Sequence, residues 1–180
     1  MDTCNKISKF MAKSGYEMNV IGVPKTIDND LYGTDHCPGF ASAAKYIATS
    51  IMEINLDAKV YDTPMICVIE VMGRNAGWLT AAAQLANAKG LGADLIYLPE
   101  VVFDVNKFIA DVKDVMAKNN NKCIAVVSEG IKNAKGTCIS NVDKVINSRA
   151  ASINSYGLTV NGNKLILLSC KCIIKFHCFL

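Results

Sequence analysis

Short, continuous apolar runs alternate along this chain with longer segments in which apolar residues recur at helical spacing. Met65–Ile69 and Cys123–Val127 are unbroken apolar runs, the pattern expected of strands that are covered on both faces of a parallel sheet. Ala93–Leu98 is a third strand segment between them. Helix-length segments separate the three, so the sequence predicts βαβ units with right-handed crossovers. We therefore expect an α/β fold with a three-layer, Rossmann-like parallel sheet.

Five segments have the apolar periodicity of helices. They cover about residues 3–14, 40–54, 78–88, 105–116 and 142–153. Gly33–Asp35, Asp104 and Asn141 are expected to cap the second, fourth and fifth of these helices. Residues 55–63 are predicted as a polar connection that follows the second helix. Trp78 is interpreted as a packing residue of the third helix.

The composition and net charge of the chain disfavour several classes of protein. Hydrophobic residues make up 51% of the chain and charged residues 19%, which is typical of a globular protein. The net charge is only +3 and no Lys/Arg run occurs, so neither nucleic acid nor a membrane surface is an expected partner. Of the eight cysteines, Cys67 and Cys123 lie inside predicted strands, where free thiols behave as small hydrophobic groups. Together with the absence of an apolar leader, this predicts a reducing, cytoplasmic setting.

The chemically richest stretch is the loop Gly22–Asp30. It follows a predicted strand, Glu17–Val23, which Pro24 ends because proline lacks the N–H that a ladder needs. The loop carries one cation, one hydroxyl and two carboxylates: Lys25, Thr26, Asp28 and Asp30. Loops at the carboxyl ends of strands bind ligands in open α/β sheets, and two neighbouring acids can act as general base and metal ligand. Composition alone equally allows an Asx-rich turn in which Asp28 and Asn29 satisfy only their own backbone.

Three motifs together resemble one family. Thr26–Asp30 (TIDND) resembles the catalytic loop of the phosphofructokinases, and Val71–Arg74 and Val127–Gly130 follow in the family's order at about the family's spacing. The resemblance covers about Asp2 to Asn154. It implies a phosphofructokinase-type fold that is incomplete. By this resemblance residues 1–37 correspond to the end of the first, donor-phosphate domain. Residues 38–155 correspond to most of the second, fructose 6-phosphate domain, and residues 156–180 are a non-family tail.

The resemblance also implies roles for individual residues in Mg²⁺-dependent phosphoryl transfer to the 1-hydroxyl of fructose 6-phosphate. Asp28 corresponds to the base that takes the hydroxyl proton, and Asp30 to the acid associated with magnesium. Thr26 matches a contact to the reacting phosphate or the sugar.

The second and third motifs resemble the family's sugar-phosphate contacts. Met72, Gly73 and Arg74 resemble the fructose 6-phosphate contact set, and Glu129 matches a carboxylate that accepts hydrogen bonds from sugar hydroxyls. If each motif is considered alone, other interpretations are open. Met72 could be a core residue, Arg74 could be a surface ion-pair partner, and Ser128–Gly130 could be a solvated turn.

The residue at position 25 is informative about the identity of the phosphoryl donor. Many ATP-using members have Gly before the Thr of the catalytic loop, whereas the sequence from Pro24 to Asp30 resembles the pyrophosphate-using branch. Some ATP-using relatives carry the same loop, so pyrophosphate and ATP both stay open as donors. The family's deciding Gly-Gly-Asp loop belongs upstream of Met1. The family is oligomeric, so a homo-oligomer is expected; a non-catalytic truncated fragment is the competing interpretation.

The last residues do not resemble the family. Leu165–Leu180 is an apolar tail interrupted by Lys171 and Lys175, too short and too charged for a membrane span. We interpret it as read-through or a shifted frame. The cysteines of this tail, like the His36-Cys37 pair, lack the ligand spacing typical of zinc sites.

Overall fold

A computed structural model describes residues 1–139 and two short strands, residues 166–168 and 174–179. The helices are α1 (Asp2–Lys13), α2 (Phe40–Val60), α3 (Trp78–Ala81), a 3₁₀ helix (Ala82–Lys89) and α4 (Val105–Lys118). The strands are β1 (Met65–Val71), β2 (Leu95–Tyr97), β3 (Lys122–Ser128), β4 (Ile166–Leu168) and β5 (Ile174–Phe179). The helix predicted after Asn141 lies outside the described residues.

The five strands form one sheet in the order β2-β3-β1-β5-β4. β1 pairs in parallel with β3 from Met65↔Lys122 to Val71↔Ser128, and β3 pairs in parallel with β2. This confirms the predicted parallel core. β5 runs antiparallel to β1 and to β4, so the sheet as a whole is mixed. The predicted parallel sheet is thus extended by two antiparallel strands from the tail, for which no secondary structure was predicted.

Two apolar layers cover the two faces of the parallel strands, as the three-layer prediction requires. Side chains of β1 alternate between these layers: Cys67 and Ile69 face one, and Val68 faces the other. α2, α3 and the 3₁₀ helix cover the first face with Ile47, Ile51, Leu79, Ala83 and Ala86. α4 covers the second face with Phe108, Val112 and Met116. Within residues 1–139, no helix is long and apolar enough to cross a membrane.

α2 has the predicted apolar face but differs at both ends. It begins after Gly39, whose φ is +90°, and no side chain caps it, so the predicted cap at Gly33–Asp35 was wrong. It continues to Val60 through residues predicted as a polar connection. Asn55 is buried there, and its Nδ2 donates to the Gly92 carbonyl at 2.8 Å. This tertiary contact extends the helix beyond the point where its apolar pattern ends.

The segment after β1 leaves the predicted packing residue, Trp78, exposed. Leu79, Ala83 and Ala86 are buried, whereas Trp78 is 55% exposed and Leu85 is also exposed. The chain changes from α to 3₁₀ geometry after Ala81, which alters the side-chain period. The interpretation of Trp78 as a packing residue was therefore wrong within the described structure.

Glu17–Val23 is extended but is not a strand. Ile21 is 84% exposed and Val23 is exposed as well, and no described strand lies beside them to form a ladder. An extended segment becomes a strand only when its backbone groups pair with a neighbour. The preceding helix α1 agrees with its prediction, and Gly15 follows it with a φ of +68°.

Candidate functional site

The loops after β1 and β3 meet at the carboxyl edge of the sheet. The Ser128 hydroxyl donates to the Gly73 carbonyl at 2.6 Å and accepts from the Gly130 amide at 3.0 Å. The Glu129 amide donates to the Val71 carbonyl at 2.9 Å. A Cβ on Gly130 would overlap the Arg74 carbonyl, so only glycine allows this approach. The second and third sequence motifs are thus brought into direct contact.

The loop after β1 makes a tight turn at Gly73. Its φ is +124°, a conformation that favours glycine, and a Cβ would lie 2.8 Å from the Ala76 carbonyl oxygen. Its amide donates to Glu129 Oε1 at 3.3 Å. The resemblance to the family implied a sugar-phosphate contact at Gly73. The structure gives a further reason for glycine, which is the turn itself.

The loop after β2 supplies a contact that the sequence did not predict. Glu100 Oε1 accepts from the Gly77 amide at 2.7 Å, at the start of α3. Glu100 thereby fixes the far end of the loop that carries Arg74. The only sequence signal was its place after Pro99 at the end of a strand.

The loop that carries the two acids is held at several points. Ile27 packs against the apolar layer beneath α2, and Thr26 Oγ1 accepts from the Asp28 amide at 3.1 Å. Asn29 is 7% exposed and has a left-handed φ of +59°. Its Oδ1 accepts from the Cys37 amide at 2.8 Å, and its Nδ2 donates to the Asp35 carbonyl at 3.2 Å. Asn29 therefore does not satisfy only its own backbone, as the Asx-turn alternative supposed.

Asp28 is the electrostatically perturbed member of the site. Burial raises the pKa of its carboxyl, and the nearby charges of Asp30 and Glu129 raise it further. One oxygen, Oδ1, is buried and accepts no hydrogen bond from the described residues. The first and third motifs therefore lie within electrostatic range of each other. A carboxylate with a raised pKa and a vacant acceptor is suited to receive a proton.

The other predicted site residues lie at the surface around this centre. Lys25, Asp30 and Arg74 are exposed, and Met72 is 39% exposed, which disfavours its interpretation as core. In residues 1–139 Arg74 forms no ion pair, so its alternative role as a surface partner is not observed either. Binding roles for these four residues remain predictions.

The described residues contain no clustered set of metal ligands. Among the described residues there is no group of three or more His, Cys, Asp or Glu side chains that could hold a metal ion. His36 instead stacks on Phe40, with ring centroids 6.1 Å apart.

Fold and candidate site together define a class: an open-sheet α/β protein in which an acid-rich loop lies near the converging loops that follow two parallel strands. The chain belongs to the phosphofructokinase family. The family model, described as phosphofructokinase, matches residues 1–164, which confirms the resemblance and extends it beyond Tyr156. The domain boundaries near residues 37 and 155 remain predictions.

Known proteins agree with this assignment. A pyrophosphate–fructose 6-phosphate 1-phosphotransferase from Xanthomonas campestris pv. campestris is 48% identical over 145 residues, which is 77% of this chain and 34% of the relative. ATP-dependent 6-phosphofructokinase 2 from Clostridium perfringens is 36% identical over 89% of this chain and 40% of its own. The crystal structure of the pyrophosphate-dependent phosphofructokinase from Nitrosospira multiformis is 44% identical, with a TM-score of 0.65 over 76% of this chain and 35% of its own. The chain thus spans about a third of the pyrophosphate-dependent relatives.

Proposed function

We propose that this chain carries the sugar-phosphate site of a phosphotransferase that moves a phosphoryl group from pyrophosphate to the 1-hydroxyl of fructose 6-phosphate. The product is fructose 1,6-bisphosphate, an intermediate of glycolysis. The observation that carries the proposal is the vacant, buried Oδ1 of Asp28, whose carboxyl has a raised pKa and lies near Asp30 and Glu129. The names of relatives that are 44–48% identical support the reaction.

Asp28 is the general base in this proposal. The sugar hydroxyl donates to its carboxylate and loses the proton as the new O–P bond forms, while the bridging P–O bond of pyrophosphate breaks and orthophosphate leaves. Raising the pKa of a carboxylate brings it closer to the pH at which it can accept a proton efficiently. Thr26, Met72, Gly73, Arg74 and Glu129 bind the sugar phosphate. Arg74 offers an exposed guanidinium to phosphate, and Glu129 offers a carboxylate to hydroxyls.

Mg²⁺ is the proposed metal, and the residues present fit it. Carboxylate oxygens are ligands that Mg²⁺ prefers, and it is usually held by one or two carboxylates together with waters and substrate phosphates. Exposed Asp30 would hold it, which agrees with the absence of a larger ligand group among the described residues. When bound, Mg²⁺ neutralises charge on the transferred phosphoryl group.

Pyrophosphate is favoured as donor by the named relatives and by Lys25. Exposed Lys25 directly precedes Thr26, so its ammonium is available to the phosphates of a short donor. ATP is the alternative, because an ATP-dependent relative also matches over most of the chain. A non-catalytic fragment that only binds the sugar phosphate is the second alternative, because the chain spans about a third of its pyrophosphate-dependent relatives.

A homo-oligomer in the cytoplasm completes the proposal. Large apolar side chains are exposed in the N-terminal segment: Phe10, Tyr16, Ile21, Val23 and Tyr32. Apolar surface of this kind is typical of interaction sites. Size-exclusion chromatography with light scattering tests association, and a monomer at micromolar concentration would contradict it.

The test is phosphoryl transfer by the purified full chain with Mg²⁺ and fructose 6-phosphate, supplied with pyrophosphate or ATP in parallel. Asp28→Asn keeps the side-chain shape and removes the base, so turnover should fall by at least about 10²-fold. Asp114→Asn, on the exposed side of α4, is the matched control and should keep full activity. Equal turnover in both variants would remove Asp28 from the mechanism. Sugar-phosphate binding without turnover by either donor would favour the non-catalytic alternative.

A further inference from the structure

Ser128 joins two loops through one buried hydroxyl. It is the last residue of β3 and is 0% exposed. Its Oγ accepts from the Gly130 amide two residues away, which is a local turn contact. It also donates to the Gly73 carbonyl at 2.6 Å, a contact across 55 residues of sequence. Because both bonds are buried, water cannot replace them when the hydroxyl is removed.

The bond from Ser128 lies beside a second contact to the same glycine. Glu129 Oε1 accepts from the Gly73 amide at 3.3 Å, whereas the Ser128 bond is 2.6 Å long. Gly73 is thus held on its carbonyl side by one residue and on its amide side by the next. The longer bond uses the same carboxylate that the proposed function gives to the sugar hydroxyls. If Glu129 turns to a sugar, Ser128 still holds the two loops together.

We infer that Ser128 is a positioning residue that fixes the distance between the Glu129 carboxylate and the loop carrying Gly73 and Arg74. The inference rests on the proposed function, since that distance matters only if both loops bind the same sugar phosphate. Ser128 does not touch the ligand in this arrangement. Its hydroxyl keeps the loops in register before the ligand arrives, which lowers the cost of ordering them on binding.

Fructose 6-phosphate binding to the full chain tests this inference, measured by calorimetry at 25 °C. Ser128→Ala should weaken binding by about tenfold, the effect of losing one buried hydrogen bond that positions a ligand contact. Ser128→Thr keeps the hydroxyl and should bind more tightly than the alanine variant. Ser50→Ala removes another buried hydroxyl, on α2 and away from the two loops, and should bind like wild type.

Hydrogen–deuterium exchange of the same proteins without ligand separates positioning from general stability. Exchange should become faster in residues 72–77 of Ser128→Ala and stay unchanged there in Ser50→Ala. Normal binding and normal exchange in Ser128→Ala would overturn the inference while leaving the proposed function intact. Equal weakening by Ser50→Ala, or a threonine variant no better than alanine, would also overturn it. A wild-type chain that binds no fructose 6-phosphate would refute the proposed function and this inference together.

Discussion

Replacing Asn29 with alanine tests how the acid loop is held. The substitution removes the acceptor for the Cys37 amide at 2.8 Å and the donor to the Asp35 carbonyl at 3.2 Å. Leaving a buried amide unpaired costs about 1–3 kcal/mol. Alanine at a φ of +59° adds about 1 kcal/mol, because it has the same Cβ strain as asparagine without the short polar side chain that offsets this strain by local hydrogen bonding. The free energy of unfolding should therefore fall by about 2–4 kcal/mol.

Urea denaturation followed by far-ultraviolet circular dichroism measures this loss as a lower midpoint at unchanged slope. Asn120→Ala is the matched control, since Asn120 is exposed and has a φ of +45°. It isolates the loss of the preference of asparagine for the left-handed region, about 1 kcal/mol. The difference between the two variants gives the contribution of the buried hydrogen bonds. If Asn29→Ala loses no more stability than Asn120→Ala, the buried bonds do not hold the loop and the reasoning is wrong.

Two further predictions concern the cap of α4 and the pH dependence of the site. Asp104 accepts from the amides of Asn106 and Lys107, so Asp104→Ala should lower the free energy of unfolding by about 1 kcal/mol; an unchanged urea midpoint would contradict this. The pKa of Asp28 is raised in the folded protein, so the folded state binds the carboxyl proton more tightly than the unfolded state does. As the pH rises above 3.8, the ordinary pKa of an aspartate, ionisation of Asp28 therefore lowers the free energy of unfolding. The free energy of unfolding of Asp28→Asn should therefore rise relative to that of the wild type as the pH increases from 4 to 7. If the difference between these two free energies does not vary with pH, the assignment of a raised pKa to Asp28 is wrong.

The central strands were predictable because their residues favour burial on both faces. β1 and β3 have continuous runs of apolar, largely β-branched residues, and few other structures bury such runs on both sides. α4 was predictable for a related reason: its apolar stripe is long and Asp104 marks its start. In these elements the local pattern and the tertiary contacts agree.

The structures of other segments depend on tertiary contacts that the local sequence does not specify. Glu17–Val23 has the composition of a strand but no described partner, and pairing is what makes a strand. The alanine-rich segment after Gly77 has two stripes that could be buried, and the sequence could not choose between them. The chain buried Leu79 and Ala83 and exposed Trp78.

The sequence motifs supplied the residues of the candidate site but not the contacts between them. Recognising the motifs located Asp28, Gly73 and Glu129. The side chains that hold them in place act across long sequence separations, such as the 55 residues between Ser128 and Gly73. Serine and asparagine are common in turns, so their composition gave no signal for these tertiary roles.

The attachment of the acid loop to the start of α2 has a mechanical consequence. Asn29 binds Cys37, just before the helix, while Asn55 near the other end binds Gly92. A 21-residue helix is a nearly rigid rod about 30 Å long. Phe40 lies about 22 Å along this rod from Asn55, so pivoting the rod by about 2.5° about Asn55 displaces Phe40 by about 1 Å, a distance large enough to spoil catalytic alignment. In the proposed reaction, the alignment of the two aspartates is therefore sensitive to packing far from the acid loop, at the contact between α2 and the 3₁₀ helix.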